Sequence, residues 1–462
     1  MYRHNLHIHF VGIGGIGMSG IAELLLTLHY RVSGSDLQEN ELTRHLESLG
    51  GTVHIGHDAR WIEGADVVVV SSAVRPDNPE VAAAVAEKIP IVQRAEMLAE
   101  LMRLKRYGIA VAGSHGKTST TSMVAAVLTE AGLDPAVVVG GKVQSLGGSN
   151  ARLGSGEFLV AEADESDGSF LKLSPAIEVI TNIDLEHLDY YRDLEHIRSV
   201  FGAFVERLPF YGVAVLCLDD DNVAQLLPQI RKRIITYGLS EQADLQAVKL
   251  SRQNGRYVFT VRSRDRELGE ISLNRPGRHL VYNSLAAVAV GLELDIDFGR
   301  IARALGSFQG VQRRLQTKGE AGGILVVDDY GHHPTEIRAT LWAVREGWPE
   351  RRVVTVFQPH RYSRTTALFD QFLTAFRRSD VLILCDIYAA NEAPLEGVSS
   401  AALAEAIRQY GQKQIHYLPE VLADPARLLP LLEPGDLVLT LGAGSVGRLG
   451  EQLLALLQGV GP

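Results

Sequence analysis

Short runs of β-branched and aliphatic residues recur along most of the chain, each followed by a longer stretch with helical spacing of its apolar positions. Early examples are IHFVGIGG, YRVSGSD and ADVVVVSSAV. Two parallel strands need a long crossover between them, usually a helix, so this alternation predicts an α/β fold of parallel sheets. At 462 residues the chain exceeds one ordinary core. The charged segment ELMRLKRYG places a boundary near Lys105, and the basic, glycine-rich QGVQRRLQTKGEAGG places a second. The expected organisation is three α/β modules over residues 1–105, 106–314 and 315–462. Residues 241–275 depart from the alternation and predict two short strands, YVFTVRS and LGEISLN, as an antiparallel hairpin decorating the middle module.

Net charge −10 argues against a dedicated nucleic-acid binder, which would carry a basic surface. Cys217 and Cys385 lie in separate apolar runs and read as buried strand residues, with no metal or disulfide framework. His7 and His9 interrupt the first apolar run, no cleavage site follows it, and no apolar stretch reaches the ~18 residues of a membrane span. The expected location is the cytoplasm.

Two turns carry the chemistry. In the first, Gly12, Gly14 and Gly17 fit G-x-G-x-x-G between the strand LHIHFV and the helical GMSGIAELLLTLHY, and Asp36 ends the next strand. Glycines there let backbone amides approach a diphosphate at a helix N-terminus, and the acid stands where a ribose would be held. The pattern suits a dinucleotide and another nucleotide diphosphate equally. The second turn, GSHGKT, follows the strand GIAVAG. Val111 replaces the first glycine of a full Walker A motif, leaving a shorter loop from Gly113 to Thr118. Its mechanics remain: amides cradle phosphates, Lys117 offers a point charge and Thr118 a hydroxyl for Mg²⁺. The following helix is expected to stop at Gly132.

Magnesium needs further oxygen ligands, and AEADESDGSF supplies a dense acidic cluster after the strand EFLVAE, with Asp164, Glu165 and Asp167 among its members. A strand's C-terminal end is where doubly wound sheets bind ligands. A solvated acidic loop is the alternative. His187, in DLEHLDYY after the next strand, reads equally as a ligand of a second metal ion and as a surface histidine.

With these motifs in hand, the whole chain resembles the Mur ligases, the ATP-dependent amide-forming enzymes of peptidoglycan assembly. The resemblance rests on GIGGIGMSGIAELL, SSAVRPDNPE, GSHGKTSTT, AEADESDGSF, TNIDLEHLDYY, GRHLVYNSLAAVA, GVQRRLQ, DDYGHHPTEI and FQPHRYSRT, in that order. It implies a Rossmann-like N-terminal domain for a UDP-sugar, a P-loop-type central ATPase domain, and a Rossmann-like C-terminal domain that closes over both. One turn would then hold the UDP, the other the ATP. The opening GIGGIGMSG is similar to the alanine-adding branch, which implies UDP-N-acetylmuramate and L-alanine as substrates and a monomer or weak homodimer.

Carried over residue by residue, the resemblance implies UDP-sugar contacts from Gly12, Gly14, Gly15, Ile16, Gly17, Ser35, Asp36, Ser71, Ser72, His360 and Arg361. It implies ATP contacts from Gly113, Ser114, His115, Gly116, Lys117, Thr118, Ser119, His279, Asn283, Arg314 and Asp329. Thr118 would hold a first Mg²⁺ and His187 a second, with Glu165 a metal ligand. Tyr330, His332 and Arg364 would approach the amino acid, and Lys117, His332, Arg361 and Arg364 would act in catalysis. The chain departs from its relatives at Leu280, where Asn is usual, at Asn391, where Gly is common, and at Ser445, where an acid is usual. FGAFVERLPF carries no lysine, unlike some related ligases and like the alanine-adding branch.

The implied chemistry makes sense of these residue types. Transferring the γ-phosphoryl to a carboxylate gives an acyl phosphate, which an amine can attack. Phosphoryl transfer needs positioning and charge neutralisation, and PHRYSR supplies guanidinium groups that hold oxyanions bidentately. His332 is a candidate for deprotonating the amine. The nearby pair His332–His333 lacks the acid cluster a metal site needs, apart from Asp328 and Asp329. Three rival readings stand: a recycling ligase that adds a peptide to the same UDP-sugar, a nicotinamide-dependent oxidoreductase resting on Gly12 to Asp36, and a non-catalytic nucleotide-controlled binding protein.

Overall fold

The computed structural model describes residues 6–71, 73–141, 149–253, 256–390 and 392–459. Ser72 and Asn391 lie outside the described residues. Strands β1 (His7–Val11), β2 (Arg31–Asp36), β3 (Thr52–Ile55), β4 (Val67–Val70) and β5 (Ile91–Gln93) form a sheet in the order β3-β2-β1-β4-β5. Every pairing is parallel. The strand order reverses between β1 and β4, which opens a crevice at their carboxyl ends. The first glycine turn leaves β1 there.

The second sheet contains β6 (Tyr107–Ala112), β7 (Ala136–Val138), β8 (Ala151–Arg152), β9 (Phe158–Glu162), β10 (Ile177–Ile180), β11 (Val213–Cys217) and β12 (Arg233–Gly238). It continues through β13 (Leu245–Gln253), β14 (Arg256–Ser263) and β15 (Arg266–Leu273), in the order β15-β14-β13-β12-β11-β10-β6-β9-β7-β8. The expected two-strand hairpin is therefore corrected to three strands of eight or nine residues that extend the main sheet. β13 joins β12 in parallel, Tyr237 opposite Leu245. Its outer half, KLSRQ, is largely exposed and polar, which hid the strand from an apolar-pattern reading.

The third sheet comprises β16 (Gln316–Ala321), β17 (Ile324–Asp329), β18 (Val353–Phe357), β19 (Val381–Leu384), β20 (Ile415–Tyr417) and β21 (Leu437–Leu441), in the order β16-β17-β21-β18-β19-β20. Only β16, at the edge, runs antiparallel to its neighbour. Val353 and Phe357 of β18 join one core, Val354 and Val356 the other. Burial on both faces is why these strands read as continuous apolar runs.

The chain forms two compact units. One holds the first two sheets (Met1–Ser251, Val258–Leu273, Val281–Gln309) and the other the third (Arg252–Tyr257, Asn274–Leu280, Gly310–Pro462). Within the first unit one continuous apolar core runs from Ile8, Phe10 and Leu25 through Met97 and Met102 to Ala110, Phe170 and Phe204, beside a smaller one of Val11, Ile62, Val68 and Ala84. Lys105 is tied down at the seam between the sheets, its Nζ donating to Gly154 O at 2.6 Å and Gly156 O at 2.8 Å. Both cysteines are buried and free, and burial pushes each thiol up to about 12. Among the described residues no helix is long and apolar enough to cross a membrane.

Candidate active site

The first turn is closed by backbone contacts. Gly12 has φ +80°, and the Gly12 and Ile13 amides donate to Ser35 O at 2.8 and 2.9 Å. Asp36 Oδ2 accepts from Gly14 N at 2.9 Å, so this acid braces the turn. A Cβ on Gly14 would stand 2.7 Å from Asn40 Nδ2 and 2.9 Å from Asp36 Oδ2. Gly15 precedes the helix Ile16–Thr27 without a side-chain cap, which leaves that helix N-terminus able to receive an anion. Ser35 is buried, and its hydroxyl donates to Glu80 Oε2 at 2.8 Å and lies 3.0 Å from His57 Nδ1. Its placement makes it a support of the turn, not an exposed binding group. Ser71 follows β4 and accepts from Val74 N at 3.1 Å.

The second turn leaves β6, the strand between β9 and β10. Gly113 has φ +130°, and a Cβ there would fall 2.0 Å from Thr181 Oγ1, so no other residue fits. The residues after β10 hold the loop's shape. Asn182 Oδ1 accepts from His115 N at 2.8 Å, Thr181 Oγ1 donates to His115 O at 2.7 Å, and Asp184 N donates to Ser114 Oγ at 2.8 Å. The His115 ring lies 2.9 Å from Asp184 Oδ2. Lys117 and Thr118 open the helix Lys117–Glu130, which buries Thr118 and Ser119 and ends with Gly132 at φ +78°, as its pattern predicts. Asn283, buried in the helix Arg278–Glu293, reaches the loop, where a Cβ on Gly116 would meet its Oδ1 at 2.9 Å.

Lys117 Nζ donates to Gly113 O at 2.7 Å, Ser114 O at 3.2 Å and Glu165 Oε1 at 2.9 Å. Burial opposes its charge, but Glu165, Asp164 and Glu162 together raise its pKa above the usual lysine value. Thr118 Oγ1 bonds to Glu162, 3.0 Å from Oε2 and 3.1 Å from Oε1, so the acid beside the hydroxyl is Glu162 and not Glu165. Glu165, Glu186 and His187 present ligand atoms within 4.8 Å of one another. Burial lowers the His187 pKa, but Glu165 and Glu186 outweigh it and raise the ring overall. His187 has φ +57°, a left-handed conformation in which a non-glycine residue is uncommon. Asp164, which burial would raise, is held at about 2 by Arg94 and Lys117. Glu162, already within AEADESDGSF, thus takes the place beside Thr118, and Glu186 joins the expected acids.

Two residues that no motif reading singled out link the sheets of this unit. Arg94 Nη2 donates to Asp164 Oδ2 at 2.7 Å. Asn150 Nδ2 donates to Ile16 O and, at 3.0 Å, to Ser19 Oγ. Neither has a local sequence signal, because each acts across a long chain separation.

The second unit gathers the C-terminal candidates by itself. The His332 ring centroid lies 5.6 Å from Tyr330 and 5.5 Å from His360, and His360 stacks on Tyr388 at 5.5 Å. Arg364 Nη1 is 3.0 Å from His360 Nδ1. Arg313 and Arg314 both place guanidinium groups over Tyr330, at 5.2 and 5.1 Å. Arg361 adopts φ +69°, ψ 140°, held by Arg361 N donating to Tyr388 O at 2.8 Å. A backbone so rarely populated costs about 1–3 kcal/mol and is characteristic of functional sites. Asp329 is buried and accepts from Leu315 N at 2.7 Å, Gly331 N at 2.8 Å and Thr340 Oγ1 at 3.1 Å, so it shapes its own loop. His279 lies near Arg314 and Glu336, and burial, with Arg314, lowers it to about 4. His333 caps the helix Pro334–Gly347 in a reciprocal arrangement with Glu336. Ser445 shares a hydrogen bond with Gln358 at 3.2 Å.

Comparison with known proteins agrees with this arrangement. Family models described as Mur ligase family, catalytic domain, Mur ligase middle domain, and Mur ligase, glutamate ligase domain match residues 7–106, 111–291 and 313–444. The UDP-N-acetylmuramate–L-alanine ligase of Desulfotalea psychrophila is 62% identical over 457 residues, covering 99% of each chain. That of Geobacter sulfurreducens is 57% identical over 459 residues, again covering 99% of each. Among solved structures, the UDP-N-acetylmuramate–alanine ligase of Thermotoga maritima superimposes with a TM-score of 0.84 at 29% identity, over 99% of this chain and 100% of that one.

Proposed function

The chain belongs to the Mur ligase family, and on that premise we propose that it is an ATP-dependent ligase joining L-alanine to the lactyl carboxylate of UDP-N-acetylmuramate in peptidoglycan precursor synthesis. The observation that carries this reading is the meeting of two nucleotide turns in one compact unit, with Lys117 and the acidic cluster at the second. An oxidoreductase would leave that second turn without a task. The full-length identity to alanine-adding relatives favours L-alanine over a peptide.

The γ-phosphoryl of ATP passes to the lactyl carboxylate, giving an acyl phosphate. The amine of L-alanine attacks its carbonyl carbon, the bond to the phosphate oxygen breaks, and inorganic phosphate leaves. Lys117 and the amides of Gly113 to Ser119 hold the ATP phosphates, and Asn283 lies against that loop to contact adenine. The turn from Gly12 to Gly17 holds the UDP diphosphate at a helix N-terminus. Arg361 and Arg364 grip substrate oxyanions, and His332 is the candidate to take the proton from the alanine ammonium.

The donor set suits Mg²⁺. The hydroxyl of Thr118 and the carboxylates of Glu162, Glu165 and Glu186 are hard oxygen donors, with His187 beside them. Bound Mg²⁺ would neutralise phosphoryl oxygens as charge moves between them.

The proposed division of labour is residues 1–105 for the UDP-sugar, 106–314 for ATP and 315–462 for the oxyanion-gripping groups. The proposed setting is the cytoplasm, as a monomer or weak homodimer that takes no nucleic acid. A phosphate-release assay tests the reading. Release that requires ATP, UDP-N-acetylmuramate and L-alanine together supports it. Release with a peptide but not L-alanine, or none with the full set, sinks it.

A further inference from the structure

Arg94 opens the helix Arg94–Arg103 directly after β5, at the carboxyl edge of the first sheet. Its guanidinium lies over the first turn. A Cβ on Gly17 would stand 3.0 Å from Arg94 Nη1 and 3.2 Å from its Cδ. Gly17 is the second residue of the helix Ile16–Thr27, so a fixed positive charge sits beside the positive end of a helix dipole. That juxtaposition is unfavourable on its own and becomes favourable when an anion lies between the two. Meanwhile Arg94 Nη2 donates to Asp164 Oδ2 at 2.7 Å. Asp164 belongs to the acidic cluster around Lys117 and is the immediate neighbour of Glu165. One guanidinium therefore touches the elements of both nucleotide turns.

We propose that Arg94 couples the two nucleotide sites, dividing its charge between the diphosphate of the UDP-sugar at Gly17 and Asp164 at the ATP site. The proposal rests on the ligase reading and adds a residue and a regulatory consequence to it. The sign follows from electrostatics. Asp164 draws on two cations, Arg94 and Lys117. A diphosphate that takes a share of Arg94 leaves Asp164 with unmet charge, which favours the cation accompanying ATP. Conversely, a cation near Asp164 weakens its hold on Arg94 and frees the guanidinium for the diphosphate. Each ligand should tighten the other, by the same factor, as linkage requires. A methyl at position 17 would press on the Arg94 side chain, so the third glycine of G-x-G-x-x-G leaves room for that guanidinium.

The test is calorimetric titration of UDP-N-acetylmuramate into the full chain, with and without Mg²⁺ and a non-hydrolysable ATP analogue. For the wild type the analogue should tighten UDP-sugar binding about 5-fold or more, the lower end of ordinary coupling. Arg94→Ala should weaken analogue-free binding about 10-fold, the loss of a charge-assisted hydrogen bond, and bring the tightening ratio close to one. Asp164→Asn should also bring the ratio close to one, yet leave analogue-free affinity at or above that of the wild type, because Arg94 is released to the diphosphate. This opposite sign separates coupling from scaffolding, since a merely structural ion pair weakens alike from either side. Arg94→Lys, which keeps the charge without the fork, should bind with intermediate affinity and a ratio near one, and it decides the matter should Arg94→Ala not fold. A wild-type ratio of one, an Asp164→Asn variant weakened as much as Arg94→Ala, or an Arg94→Lys variant indistinguishable from wild type overturns the proposal. Wild-type protein that binds no UDP-sugar at all instead strikes the ligase reading.

Discussion

Replacing Lys117 with methionine keeps the length of the side chain and removes its charge. The Lys117 side chain is 14% exposed and that of Glu165 2%, so the pair is buried. Breaking such a pair by removing one partner costs about 3–5 kcal/mol, chiefly because the remaining charge is stranded. His187 Nε2 stands 3.6 Å from Glu165 Oε1 and supplies part of the missing compensation. The expected destabilisation is therefore near the lower end, about 3 kcal/mol. Adding Glu165→Gln removes the stranded charge, and the double variant should recover to within about 1 kcal/mol of wild type, the value of one ordinary hydrogen bond. Activity should behave differently. A cation aimed at charge that moves during phosphoryl transfer contributes about 100- to 1000-fold to turnover, by analogy with preorganised donors elsewhere. The second substitution cannot restore that. Binding of UDP-N-acetylmuramate without ATP should weaken by no more than the coupling itself, about fivefold, since Lys117 does not touch the first turn and reaches it only through Asp164 and Arg94. Chemical unfolding, followed transition by transition because two compact units need not melt together, gives the stabilities, and phosphate release gives turnover. A single variant as stable as wild type, or a double variant that regains no stability, refutes the stranded-charge argument. Turnover within tenfold of wild type refutes the assignment of Lys117 to ATP.

Three further outcomes are expected. Glu162→Gln and Glu165→Gln should each raise the Mg²⁺ concentration needed for half-maximal phosphate release, because an amide oxygen lacks the charge a hard cation seeks; lower activity with unchanged Mg²⁺ demand would move the metal to Asp164 or Asp167. Arg361→Lys and Arg364→Lys should each lower kcat/KM about 10- to 100-fold, equivalent to about 1.5–3 kcal/mol, without altering binding of an ATP analogue; steady-state values near wild type would make PHRYSR an ordinary solvated loop. Glu178, fully buried in β10, has no hydrogen-bond partner for either carboxylate oxygen among the described residues, and burial raises it well above the usual range although Arg207 and Lys232 pull the other way. A folded pKa above the unfolded value gives stability that is complete below the unfolded value of about 4.3 and is lost as pH rises through the folded one. Glu178→Gln should therefore gain on wild type as pH rises from about 4.5 to about 8, and unfolding curves offset equally at both pH values would refute this.

What the sequence disclosed divides along physical lines. Strands buried on both faces announced themselves, because β6, β18 and β21 have almost no solvent side on which to place charged residues. β13 escaped notice because KLSRQ lies largely in solvent. Turns were legible where the backbone demands glycine, as at Gly12 and Gly113, and both sit where the pattern put them. The partners of the turns were not. Ser35 holds the first turn through its carbonyl, and Thr181, Asn182 and Asp184 brace the second from another strand. Such contacts depend on which strands become neighbours, and local pattern does not encode that. The same holds for Arg94 and Asn150. His333 is a different case: histidine is an unusual helix cap, so the His-Pro-Thr-Glu run does not announce a helix start although Glu336 stands at the capping-box spacing.

The acidic cluster shows why charge had to be counted in space. Along the chain its members read as one loop, with His187 an uncertain addition. In the fold, Glu162, Asp164 and Glu165 all act on Lys117, and Glu186 joins Glu165 beside His187. Four carboxylates thus face two fixed cations, Lys117 and Arg94, with His187 able to contribute when protonated. Concentrating unbalanced negative charge in a sheltered site is costly. The remaining negative charge is of the kind that divalent cations would offset. The same balance explains why Arg94 is drawn in from the first sheet. It lowers the cost of the cluster before any nucleotide arrives, and it does so with a side chain whose other edge rests on the first turn. A cluster neutralised entirely from within the second sheet would be as stable and would leave the two turns independent. Here the charge balance of one site is completed by the other, so filling either alters what the other needs.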